Sequence, residues 1–307
     1  MINGVKEMEM EKNMLKFSAI GGLFFAVLGL AWGLIIKSNM LMFDGLYALV
    51  SMISSIISIL ITTYIAKSDF DKFPFGKGML EPITVAVKSL VLIVMCGWSF
   101  ITGVQDIILG GSDVDTSLAL GYSIVSSVLC IVIFLIMQKK SKRIASDILK
   151  SESNQWFMDS IVSMGVLIGF ILSFVLAKTD FAYLTRYVDS FMVIISSLIF
   201  IRVPVKGFID SFNEMINGSA DTEINNRIYT IVKGIEQEYN FESSITRVSK
   251  VGRELRIEID FVFNDNSTLY GLKEMDKVRE KVYKNINNIE LKKWLNVNFT
   301  GDRKWAV

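Results

Sequence analysis

The stretch NQWFMDSIVSMGVLIGFILSFVLA, residues 154–177, is long and apolar enough to cross a bilayer, yet it carries an acid, Asp159, near its start. A spanning helix needs about 20 apolar residues, and an ionisable group inside one needs a partner or a ligand. Comparable runs lie at roughly 17–36, 40–66, 82–109, 117–137 and 187–209, so the sequence predicts six spans. The composition agrees: 51% of the 307 residues are hydrophobic and only 21% charged. Mean hydropathy is +0.45, above what a soluble domain carries. The net charge of +1 implies no strongly basic or acidic partner. Cys96 and Cys130 sit in apolar runs and read as small buried hydrophobes. The polar N-terminal stretch has no cleavage signal, so the first run is expected to stay as an anchor.

Basic residues set the expected orientation. Lys6, Lys12 and Lys16 precede the first span, and Lys67, Lys72 and Lys77 follow the second. QKKSKRIASDILK, after the fourth, holds five bases, whereas the loop with Asp106, Asp113 and Asp115 holds none. The positive-inside rule then places both termini in the cytoplasm. From about Ser219 the pattern changes. TEINNRIYTIVKGIEQE has helical periodicity, and ITRVSKVGRELRIEIDFVFN alternates around a Val-Gly-Arg turn, as a hairpin does. A second helix and the strand WLNVNFTGD complete an α-β-β-α-β order. The expected fold is an α-helical polytopic membrane protein with a C-terminal cytoplasmic α+β domain. Its parts are an N-terminal tail (1–16), a six-helix transmembrane domain (17–218) and the α+β domain (219–307). That last domain is small and would gain from dimerisation.

Polar residues inside the spans fall into stripes. Asp44, Tyr47, Ser51, Ser54 and Ser58 recur at three- and four-residue spacing on span two, and Glu152, Gln155, Asp159 and Ser163 do so on span five. Lys88 lies in span three, with Thr84 and Glu81 before it on its face. Two oxygen-rich stripes and a lysine suit an ion or proton pathway. The plainer readings stand beside it: serines for close helix packing, Gln155 and Tyr47 as interhelical hydrogen-bonding groups, Asp159 as an interfacial residue, and Lys88 snorkelling to the surface. Spacing alone leaves these open.

Local words carry a resemblance. FDGLYALVS (43–51), FPFGKGMLEP (73–82), DSIVSMGVL (159–167) and YVDSFMVIISSLIF (187–200), with six spans and the α-β-β-α-β tail, resemble the cation diffusion facilitator family. The resemblance implies a transport site of four side chains at mid-membrane, a His/Asp-x-x-x-Asp pair on span two and another on span five. Counted from Gly76, these positions are Tyr47, Ser51, Gln155 and Asp159, with Asp44 matching an upstream acid common in the family. A shifted register would use Asp44 with Ala48. Only Asp159 of the four keeps the usual ligand type, and the chain has no histidine. Zinc is usually held by N, S or carboxylate ligands, whereas hydroxyl and amide oxygens with few carboxylates suit a harder cation such as Mn²⁺ or Mg²⁺.

The resemblance implies a homodimer in the cell membrane that exports a metal cation from the cytoplasm in exchange for protons. Its alternating access would let Asp159 bind cation and proton in turn. The missing ligands motivate an alternative, a non-transporting member that acts as scaffold or dimer partner. An enzyme is not expected: there is no histidine, no paired cysteine and no Ser-centred nucleophile motif. FGKG is followed by Met, so it is no ATP-binding loop, and no cofactor is implied. Lysines and arginines in the tail alternate with acids, which argues against nucleic acid as a partner.

Overall fold

The structure is a computed structural model that describes residues 2–306 apart from 68, 70, 145, 146, 253, 266, 270 and 290. The side chains of residues 2–9, 11, 12, 55, 62, 66, 143, 144 and 147–151 also lie outside the description. Four of the bases used above for orientation (Lys6, Lys12, Arg143 and Lys150) are among them.

Five long helices come first: α1 (Ile2–Ile36), α2 (Asn39–Ala66), α3 (Leu80–Ile108), α4 (Thr116–Ile144) and α5 (Asp147–Leu176). The apolar run at 187–209 becomes two helices, α6 (Thr185–Phe200) and α7 (Arg202–Met215), with a break at Ile201. Pro204 explains the interruption, because it has no N–H to return to the carbonyl of Phe200. Six helical segments among the described residues are long and apolar enough to cross a membrane, the last running Ala182–Met215. The first helix also begins well before its apolar run, extending into the polar N-terminal stretch.

The chain divides into two compact units, residues 1–57 with 88–205 and residues 58–87 with 206–307. In the first, α4 and α5 pack along their length. A seam of small side chains permits this: Ser127 Oγ donates to the carbonyl of Ser163 at 2.9 Å, and the hydroxyls of Ser126 and Ser163 are 3.5 Å apart. Close approach through small residues is how helices associate where no hydrophobic drive exists. Helices α1 and α2 cross just as tightly. A Cβ on Gly45 would lie 2.6 Å from the backbone nitrogen of Leu30, so only glycine fits there.

The second unit holds the α+β fold expected from the alternation. Helix α8 (Thr222–Glu238) and α9 (Leu272–Ile286) accompany strands β1 (Ser243–Val251), β2 (Glu254–Val262) and β3 (Lys292–Thr300). The sheet order is β1-β2-β3, with β1 antiparallel and β3 parallel to the central strand. Alternate residues of β2 (Leu255, Ile257, Ile259 and Phe261) are fully buried against Ile228, Val232 and Ile235 of α8 and Val278, Val282 and Ile286 of α9. Gly252 turns the hairpin at φ +58, a conformation open to glycine. Loop and helix ends of the same unit brace this turn. Glu214 of α7 accepts from the Gly252 amide at 2.9 Å and pairs with Lys250 at 3.0 Å. Phe75, in the loop between α2 and α3, packs its ring 6.1 Å from that of Trp294.

Candidate functional site: polar groups between spans two and five

Helix α2 begins with a built N-terminus. Ser38 accepts from the Leu41 amide at 3.2 Å, while its own hydroxyl donates to Asp189 at 2.5 Å. Asp189, 2% exposed on α6, also accepts from the amides of Asn39 (2.8 Å) and Met40 (3.4 Å). An acid there satisfies orphan N–H groups and meets the positive end of the helix dipole. Asn39 in turn donates to Asp106 of α3. These contacts set the rotation of α2 and hence the direction of Asp44, Tyr47 and Ser51 further along it.

The expected site residues meet in part. Gln155 Nε2 of α5 donates to Ser51 Oγ of α2 at 3.2 Å. Asp44 and Tyr47 lie on α2 and Asp159 on α5, the two helices that this bond joins. The Tyr47 ring packs edge-on against Phe200 at 4.9 Å. Neither Asp44 nor Asp159 accepts a hydrogen bond or forms an ion pair among the described residues. Two unpartnered carboxylates inside a helical bundle are costly unless something else neutralises them. No group of three or more His, Cys, Asp or Glu side chains that could hold a metal gathers among the described residues.

Other members of the stripes are diverted. Ser54 donates back to the Val50 carbonyl of its own helix at 2.6 Å, and Ser58 is exposed. Glu152 accepts from Ser18 of α1 at 2.6 Å, and Ser18 also accepts from the Trp156 indole at 2.8 Å. Ser163 turns to α4, as above. Thus one periodic stripe on α5 serves three neighbours, and among the described residues Gln155 is its member bonded to α2. Lys88, half-buried on α3, makes no hydrogen bond or ion pair with Asp44 or Asp159. At the end of the bundle holding the α1–α2 and α3–α4 turns, a cavity of about 480 Å³ opens, lined by Lys37, Asn39, Asp106, Ser112 and Asp113 among others.

Sequence reasoning missed Asp189, although it had a signal, an acid inside an apolar run.

The six apolar helices fit the family comparison. A family model described as the cation efflux transmembrane domain matches residues 15–216. The chain belongs to the cation efflux family. No curated protein matches it. As a family member with six membrane-length helices, the chain is a multi-pass integral membrane protein, and the family supports a cation transporter with a metal cation as substrate.

Proposed function

We propose that the chain exports a divalent cation from the cytoplasm in exchange for protons, by alternating access, as a homodimer with both termini in the cytoplasm of the cell membrane. The observation that supports this reading is the pair of carboxylates with no hydrogen-bond or ion-pair partner among the described residues, Asp44 on α2 and Asp159 on α5, helices joined by the Gln155–Ser51 bond. Two carboxylates neutralise a divalent ion. Once the ion leaves, protons are the available substitute, because two bare charges cannot stay together out of water. Binding therefore couples cation to proton without a further group.

The neutral members set the preference. Tyr47, Ser51 and Gln155 offer hydroxyl and amide oxygens, which suit Mn²⁺ or Mg²⁺ better than zinc. The cation is the substrate, and the reading involves no catalysis and no cofactor. The test is the purified chain in liposomes with an internal pH dye, challenged in turn with Mn²⁺, Mg²⁺ and Zn²⁺. Proton movement driven by Mn²⁺ or Mg²⁺ supports the proposal, and silence with all three refutes it.

One contact favours a second reading. The Gln155–Ser51 hydrogen bond satisfies two of the four family positions with each other. A site closed in this way suits a member that has given up transport and serves as scaffold or dimer partner. The same flux measurement separates the two.

A further inference from the structure

Tyr122 of α4 is 7% exposed, and its hydroxyl has no hydrogen-bond partner among the described residues. Ser126, one turn along the same helix, lies near it. An orphan hydroxyl out of water costs free energy unless something occupies it at some stage. Its place is defined by the α1–α2 crossing. The position a Cβ on Gly29 would take is 3.1 Å from Tyr122 Oη and 3.2 Å from the backbone nitrogen of Gly45, the atom that joins Gly45 to Asp44. Glycine at 29 therefore leaves room beside α1 both for the Tyr122 hydroxyl of α4 and for the backbone that follows Asp44 on α2. The Tyr122 ring stacks on Trp32 at 6.5 Å, which holds the hydroxyl in that gap.

We propose that Tyr122 is a positioning residue of the cation site, donating a hydrogen bond to the Asp44 carboxylate when a cation is seated. A carboxylate that gives one oxygen to a metal keeps lone pairs for an outer donor, and such donors orient the ligand and tune affinity. Span four, which supplies none of the expected ligands, thereby takes part in the site. The inference rests on the transport reading above.

The experiment is flux of Mn²⁺, Mg²⁺ and Zn²⁺ into liposomes holding the full chain, its Tyr122→Phe variant and its Asp159→Asn variant, with melting midpoints for all three. Phenylalanine keeps the ring and its stacking and removes one oxygen. The expected result for Tyr122→Phe is a roughly tenfold higher half-saturating cation concentration, the effect of losing one hydrogen bond to a charged group. Maximal rate and melting midpoint should stay as in the unaltered chain. An unchanged half-saturating concentration would overturn the inference while leaving the transport reading in place, provided Asp159→Asn is inactive. A weakened variant whose melting midpoint also falls would assign the hydroxyl to packing and equally overturn it. Absence of flux from the unaltered chain would remove both.

Discussion

At the scale of single residues, charge inside the spans divides into two kinds. Asp189 is fully engaged, by a hydroxyl and two amides, so its work is to hold the start of α2. Replacing it with alanine strands those donors in the interior. Asp189→Ala should cost about 1–3 kcal/mol, seen as a lower melting midpoint in detergent. Asp159 has no such partner among the described residues, and its removal should affect function instead. Asp159→Asn keeps the shape and an acceptor oxygen but loses the charge and the exchangeable proton. Cation-driven proton movement should vanish while expression and melting midpoint hold. Normal transport by that variant would make the acid structural. Ser51→Ala should be milder, because a neutral hydroxyl contributes less than a charged contact.

Among the elements, the α1–α2 crossing depends on backbone meeting backbone. Gly45→Ala would press a methyl to within 2.6 Å of Leu30 nitrogen and 2.9 Å of the Gly29 carbonyl carbon, atoms that cannot rotate away. Overpacking of this kind costs about 1–3 kcal/mol, so the melting midpoint should drop. Gly22→Ala on α1, where nothing lies within 4 Å, should leave it unchanged. Equal midpoints for the two variants would argue against the tight crossing. Helix α5 is central for a related reason: its polar stripe bonds to α1 through Glu152, to α2 through Gln155 and to α4 through Ser163.

For the whole molecule, the proposed orientation rests on charge. A single cysteine at position 113, in the acidic loop, should react with an impermeant reagent added outside intact cells, and one at position 142 should not. The opposite labelling would invert the proposed direction of transport. The α+β fold of residues 219–307 has a core of its own, built from α8, α9 and alternate residues of the strands. It contains neither histidine nor cysteine. Expressed alone it should melt at one temperature with and without a chelator, and a large chelator-induced fall would reveal a metal that these residues give no reason to expect.

Hydrophobic length and periodicity were enough to determine the six membrane-length segments and the α-β-β-α-β tail. Burial in a bilayer or under two helices constrains every residue of a span or strand, so the pattern is written many times over. The local words around Asp44, Gly76 and Asp159 were likewise enough to indicate the family. Spacing could not decide which neighbour each polar group serves. Glu152, Gln155 and Ser163 share one periodic stripe, yet they bond to three different helices, because the angle of each crossing decides what a side chain meets. Lys88 shows the same limit: its place in an apolar run suited a pathway or snorkelling alike, and among the described residues it pairs with neither Asp44 nor Asp159. Asp189 became a helix cap, and Tyr122 came to lie against Gly29 at the α1–α2 crossing, only through the tertiary arrangement. Both contacts span helices far apart in sequence, and Tyr122 needs the gap left by a missing Cβ at Gly29, which no local pattern records.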